Sequence, residues 1–339
     1  MDRTLLVVGW DAATTEHLDA FDLPFYEQLT EGGVLQPEPF WQNREVDSGT
    51  AWTTITTGLS MWDHRVATLS GMIDAPWKLR TLSKVDRLIP RDVLNTPARI
   101  WFRRLALGSQ PTNDDIPYKR AWHHVPNSLG AFVPLTYPPK PTDGVTISGF
   151  PSPEVAVEPT DIEDSVRQRY DGEPERKFDE DGGVREGYID DLYEAHTQQV
   201  ETVRWLTDNQ DFNLVFAVFT LLDRLLHVTD EGDSRIQEAY EKMDSTTASL
   251  VDDIDPDDVL IISDHGMTYN PRWKWRHIHD ETSGIWAGTT DFGIETHLDV
   301  TPTILSYFDI EMNKTKYQNP RTDRETRGME EKLEDLGYL

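Results

Sequence analysis

Three short apolar runs along the chain each end near an acidic or imidazole side chain. Thr4 to Gly9 (TLLVVG) stops just before Asp11, Leu214 to Phe219 (LVFAVF) leads into Asp223, and Val259 to Ile262 (VLII) leads into Asp264 and His265. None alternates apolar with polar residues, so each predicts a strand covered on both faces, as in a parallel sheet. Elsewhere the spacing becomes helical. Tyr188 to Asn209 carries apolar residues at helical intervals with no Pro or Gly inside, and Arg235 to Val251 behaves alike. This alternation predicts an α/β chain folded as a doubly wound three-layer α/β/α sandwich with a mostly parallel sheet. Ligands of such sheets sit beyond the carboxyl ends of the strands, so the three runs point to one shared site.

Composition narrows the partners. The 339 residues are read as one domain, 1–339, with insertions. There are 61 acidic against 32 basic residues, a net charge of −29, which repels nucleic acid and anionic membrane surfaces. The acids are scattered over a chain with ample core-forming residues, which suits a halophilic protein whose self-repulsion is screened by salt. No cysteine is present, which excludes disulfides, zinc–thiolate sites and a Cys nucleophile. The apolar stretch near the N-terminus spans about five residues, too short for a signal segment or a membrane span. A cytoplasmic location is the expectation.

Several side chains could carry chemistry. Asp223 and His227 stand at i, i+4, so a helix puts both on one face, able to grip one ion. A surface pair would look the same. Asp264-His265-Gly266 follows a buried strand at once, a pattern that also suits an ordinary turn. Asp11, in GWDA, could be a ligand or the cap of a following helix. Ser48, in VDSGTAWTTITTG, stands at a helix start, where free backbone N–H groups bind phosphate. A nearby cation would favour its ionised hydroxyl without a His base. His277, His279 and His297 are three candidates for a remaining imidazole. Carboxylates and imidazoles suit zinc, manganese or iron. Together these groups are what phosphoryl or sulfuryl transfer on two metal ions requires.

The strings GWDA, SGTAWTTITTG, PLTYPPKPTDGVTISGFPSP, FTLLDRLLH, IISDHGM and LDVTPTIL resemble, in order, the type I phosphodiesterase/nucleotide pyrophosphatase branch of the alkaline phosphatase superfamily. The closing EKLEDLGYL resembles the tail of many phosphoesterases and sulfatases of that superfamily. The resemblance implies an alkaline phosphatase-type α/β/α fold and two divalent ions, usually zinc, with manganese the alternative. It implies that Asp11, Asp264, His265 and Ser48 hold one metal, and that Asp223, His227 and a later His hold the other. His279 matches that last position best, with His277 next and His297 last. It further implies that Ser48 attacks phosphorus and forms a covalent phospho-serine.

The departures bear on the substrate. Where the family often reads T-x-P-A-W, this chain has Ser48-Gly49-Thr50-Ala51-Trp52, with Gly49 expected to loosen the turn. No Asn stands near His64 to hold a phosphate oxygen, which speaks against nucleotide pyrophosphatase activity proper. The lack of a C/S-x-P-x-R motif speaks against a sulfatase. Residues 72–124 carry ten Lys/Arg against five Asp, with Trp77, Trp101, Phe102 and Trp122. They form a candidate cap in which Arg80, Arg87, Arg103, Arg104, Lys119 and Arg120 would attract a small anionic phosphoester. A solvated insertion is the plain alternative. Residues 151–187 read as an irregular loop, and Met329 to Leu339 as a short amphipathic helix. Hydrolysis of phosphate mono- or diesters is the first reading. A phosphotransferase or phosphomutase on the same metals, or a non-catalytic anion binder, is the alternative.

Overall fold

The computed structural model of the chain describes residues 3–38, 46–75, 77, 107–174, 177–179, 183–270, 277–279, 284–313, 328–329 and 332–333. In chain order its strands are β1 (Leu5–Trp10), β2 (Glu31–Leu35), β3 (Val66–Thr68), β4 (Gly71–Met72), β5 (Ser128–Val133), β6 (Gly144–Ser148), β7 (Val157–Glu158), β8 (Leu214–Phe219), β9 (Asp258–Ser263), β10 (Met267–Tyr269), β11 (His277–His279) and β12 (Gly284–Gly288). Its α-helices are α1 (Thr15–Ala20), α2 (Ser48–Thr57), α3 (Met61–His64), α4 (Glu163–Arg167), α5 (Tyr188–Asn209), α6 (Leu221–Leu226), α7 (Ser234–Ile254) and α8 (His297–Tyr307).

Eight strands make one sheet in the order β2-β12-β9-β1-β8-β5-β6-β7. The five from β9 to β6 run parallel. The pairings beyond them, β12 with β9 and β2 and β7 with β6, are antiparallel. This is the expected mostly parallel α/β/α sandwich. Strand β1 shows why its sequence lacks a polar face. Leu6, Val8 and Trp10 join one core with Leu192 and Val203 of α5 and Met243 of α7. Leu5 and Val7 join another with Trp52 and Ile55 of α2 and Ile304 of α8. Both faces are shielded from water, so both must be apolar.

Of the two stretches read as insertions, 151–187 differs from the irregular loop expected, and 72–124 is described only in part. Within 151–187, β7 pairs with β6 and α4 follows it, so this stretch extends the sheet edge. Of 72–124, Arg80, Arg87, Trp101, Phe102, Arg103 and Arg104 lie outside the described residues. At the described end that leads into β5, Ala121 and Trp122 belong to the core. Trp122 is fully buried, and its indole N–H donates to Thr146 Oγ1 at 3.1 Å. Gly130 leaves room for the ring, since a Cβ there would come within 2.4 Å of Trp122 Cε2.

Arg120 is 1% exposed and so is not a solvent-facing cation. Its Nη1 donates to Thr56 Oγ1 at 2.6 Å, and its Nη2 to the Leu135 carbonyl at 2.7 Å. The guanidinium thus ties α2 to the loop after β5. Arg120→Met keeps the bulk and leaves those two acceptors without a charged donor, which is expected to cost ~2–4 kcal/mol. The check is urea unfolding, in which the midpoint should fall at unchanged slope. At the C-terminal end, Leu333 is buried with Val66, Leu69 and Leu135, and Met329 with Tyr137 and Ala156. No helix of the described residues is long and apolar enough to cross a membrane.

Candidate active site

Strands β9, β1 and β8 are neighbours in register, with Gly9 opposite Ile262 and Trp10 opposite Phe219. Adjacent strands lie about 4.8 Å apart, so groups just past three adjacent ends fall within roughly 10 Å. Asp11 follows β1 directly. Asp223 sits in the first turn of α6 after β8, and His227 is the residue that closes α6. Asp264 and His265 follow β9. The hairpin of β10 and β11 then doubles back, pairing Met267 with His279 and returning that imidazole to the site.

Ser48 arrives from the other side, as the first residue of α2. Asp47 is the cap, its carboxylate accepting from Gly49 N at 2.9 Å and Leu69 N at 2.8 Å. All ten residues of α2 are buried and five are Thr, a poor composition for an isolated helix. Packing and local bonds hold it. Thr56 and Thr57 donate back to the carbonyls of Trp52 and Thr53, and Thr50 donates to the Ala67 carbonyl at 2.5 Å. Gly49 is needed for close approach, since a Cβ there would lie 2.8 Å from Leu69 N. It tightens the turn at the serine, contrary to the expectation of looseness.

The seven candidate residues come together. Ser48 Oγ lies 2.9 Å from His265 Nε2. That same Nε2 is 3.4 Å from Asp264 Oδ2 and 3.8 Å from Asp11 Oδ1. Asp223 Oδ1 is 3.3 Å from His227 Nε2 and 3.4 Å from His279 Nε2. Among the described residues, two sets of three offer ligand atoms all within 4.8 Å of one another: Asp11, Asp264 and His265, and Asp223, His265 and His279. His265 belongs to both. His277 and His297 act elsewhere. His277 Nδ1 bonds the Leu226 carbonyl at 2.7 Å, and His297 Nε2 bonds the Asp264 carbonyl at 2.8 Å. Asp11 caps no helix, because α1 begins after Thr14.

The imidazoles share one orientation. Nδ1 of His227 faces the His277 carbonyl at 2.8 Å, Nδ1 of His279 faces the Val46 carbonyl at 2.7 Å, and Nδ1 of His265 faces the Gly266 carbonyl at 3.2 Å. With Nδ1 facing a backbone carbonyl outside the cluster, each Nε2 faces the carboxylates. Asp11 Oδ1 and both oxygens of Asp264 are buried without a hydrogen-bond donor among the described residues. Oxygens so placed are costly unless a proton or a cation sits among them.

Protonation in the ion-free chain follows. Burial first, then the charge of Asp223, pushes the Asp11 carboxyl up to about 7. Burial and Asp11 push Asp264 well above the carboxylate range. Burial would also raise Asp223, but His227 and His279 overcome it and hold Asp223 well below its usual value. Burial opposes a charge on His279, yet the Asp223 carboxylate raises it to about 9. His227 is held down at about 4 by burial and by Lys177. Asp11 and Asp264 thus hold their protons more tightly than ordinary carboxyls, and Asp223 less tightly.

Two residues of the site have no role legible in the motifs. Trp52 Nε1 donates to Asp11 Oδ2 at 3.0 Å, and the Val46 carbonyl orients His279. The first has a readable signal, because a buried indole N–H needs an acceptor and Trp52 stands one helical turn after Ser48.

The chain is a phosphoric ester hydrolase, folded as a mostly parallel α/β/α sandwich whose adjacent strand ends set carboxylates and imidazoles around a serine. More closely, the chain belongs to the type I phosphodiesterase / nucleotide pyrophosphatase family, whose sequence profile matches residues 5–283. Comparison with curated proteins finds no match. Among solved structures, human ectonucleotide pyrophosphatase/phosphodiesterase 5 shares the fold, with a TM-score of 0.50 and 11% identity over 93% of this chain and 97% of that one. The murine protein of the same name aligns with a TM-score of 0.46 and 12% identity over 93% and 98%. The alkaline phosphatase of the Antarctic bacterium TAB5 aligns with a TM-score of 0.44 and 11% identity over 91% and 98%.

Proposed function

We propose that the protein hydrolyses phosphate mono- or diesters through a covalent phospho-serine on Ser48, with two divalent ions, zinc or manganese, in the site. The observation that carries this reading is the convergence of Asp11, Asp223, Asp264, His227, His265 and His279 on one mouth that also holds the Ser48 hydroxyl. Asp11, Asp264 and His265 would hold one ion beside Ser48, and Asp223, His227 and His279 the other. The donor-free carboxylate oxygens and the inward Nε2 atoms fit that set, and nitrogen with oxygen ligands suits zinc or manganese. When bound, such ions favour the ionised hydroxyl and offset negative charge gathering on the phosphoryl oxygens.

The chain's own groups do the rest. Asp47 fixes the first turn of α2, so that Ser48 Oγ is held at the mouth beside His265 Nε2. Ser48 Oγ attacks phosphorus as the bond to the ester oxygen breaks, and the alcohol leaves with a proton. Water then attacks phosphorus, the Ser48 Oγ–P bond breaks, and phosphate and free serine result. The site residues other than His279 are nearly sealed from solvent, which strengthens each electrostatic contact.

The test is a metal count on the purified protein, with rates on nitrophenyl phosphate and its diester in molar salt. Two ions per chain and turnover of at least one ester are expected. Fewer than one ion and no turnover would remove the reading. The net charge of −29 gives a companion expectation. The Debye length shrinks from about 10 Å at 0.1 M to about 3 Å at 1 M salt, so self-repulsion fades. Thermal unfolding should therefore move upward from 0.1 to 2 M KCl, and a midpoint that stays level or drops would rule out the halophilic adaptation.

A further inference from the structure

We propose that Trp52 is a positioning residue that holds Asp11 in the orientation its ion requires, and so couples the serine helix to that ligand. The inference rests on the two-ion reading of the site. Its basis is a contact between two buried side chains: Trp52 Nε1 donates to Asp11 Oδ2 at 3.0 Å. The other oxygen, Oδ1, turns toward His265 Nε2, 3.8 Å away. One carboxylate oxygen is thus anchored by the indole and the other is presented to the site.

The fold makes room for this contact. Trp52 stands four residues after Ser48 in α2, so both lie on one face of that helix. Its ring crosses β1 at Gly9, where a Cβ would come within 2.7 Å of Trp52 Cη2. Gly9 precedes Asp11 by two residues in the same strand exit. The indole therefore ties the end of β1 to α2, two elements that reach the site independently. Ala12, the residue after Asp11, takes a positive φ of 69°. A donor that fixes a ligand from behind commonly changes metal affinity by 10- to 100-fold. The rest of the Trp52 ring packs in the core with Ile55, Val7 and Val218, which is separate from the N–H contact.

The experiment compares Trp52→Phe with Asp11→Ala and the unaltered chain. Zinc and manganese binding are followed by titration calorimetry at fixed pH in molar salt, with kcat and KM on nitrophenyl phosphate and its diester. Trp52→Phe should bind one of its two ions 10- to 100-fold more weakly, with the other unchanged. Its kcat should drop at subsaturating metal and recover when metal is raised, at nearly constant KM. A purely structural role would lower the unfolding midpoint without moving one ion's affinity. If Trp52→Phe does not fold, β-(3-benzothienyl)alanine placed at position 52 keeps the ring shape and lacks only the N–H. Both affinities within twofold of the unaltered chain, while Asp11→Ala loses one ion, would overturn the role of Trp52. Asp11→Ala binding both ions normally would instead overturn the two-ion reading itself.

Discussion

Replacing Ser48 with alanine is expected to lower phosphoester turnover by about 10⁴-fold or more, with the fold intact. The substitution removes one oxygen from a side chain already 6% exposed. Asp47 still caps α2 through Gly49 N and Leu69 N, so the helix start stays in place. The variant gives up the hydrogen bond to His265 Nε2 at 2.9 Å, and with it the only covalent route in the proposed pathway. Binding of the ester relies on other groups and should change less, so the deficit should fall on kcat. A rapid-quench mass measurement on the unaltered chain should show one added phosphoryl group on the peptide that contains Ser48. The same peptide from Ser48→Ala should show none. A variant that keeps turnover within tenfold would mean that water attacks the ester directly.

The second large effect is on stability, and it links pH to metal. In the ion-free chain, burial and Asp223 lift the Asp11 carboxyl from 3.8 to about 7. A group that holds its proton more tightly when folded stabilises the fold fully below the unfolded value, and that contribution is lost as pH rises through the folded one. The chelated protein should thus lose stability between about pH 4 and pH 7. Asp264, raised in the same direction by burial and by Asp11, adds to the trend. Divalent ions should reverse it, because uptake displaces these protons and tightens as pH increases. At a thousand times the dissociation constant, one ion adds about 4 kcal/mol. The check is the unfolding midpoint of chelated and zinc-loaded protein from pH 4 to 8 at constant molar salt. Asp11→Asn serves as the reference, since it cannot ionise there. A chelated chain whose pH dependence matches that of Asp11→Asn, with no rise on adding zinc, would defeat the expectation.

Much of this is readable along the chain. Leu5–Trp10, Leu214–Phe219 and Asp258–Ser263 are largely apolar because each is covered on both sides, and that pattern survives in one dimension. The placement of Asp11, Asp223 and Asp264 just past those runs is likewise visible. Other features are hidden because their signal lies in contacts between distant segments. Arg120 reads as a surface cation, yet its partners Thr56 and Leu135 lie far from it in sequence. The stretch 151–187, rich in turn residues, still yields β7 and α4, because pairing with β6 outweighs weak local preference. Gly49 looks permissive until the Leu69 backbone is placed beside it.

The sequence by itself determined which residues follow buried strands, that the sheet is mostly parallel, and that a serine starts a helix among them. Only the tertiary structure decided that β9, β1 and β8 are neighbours, that His279 rather than His277 or His297 turns its ring into the cluster, and that Trp52 backs Asp11. The physical reason is range. Strand and helix periodicity is a local property of the chain, whereas the order of strands in a sheet, the return of a hairpin over a strand end and the meeting of an indole with a carboxylate 41 residues away depend on how the cores close.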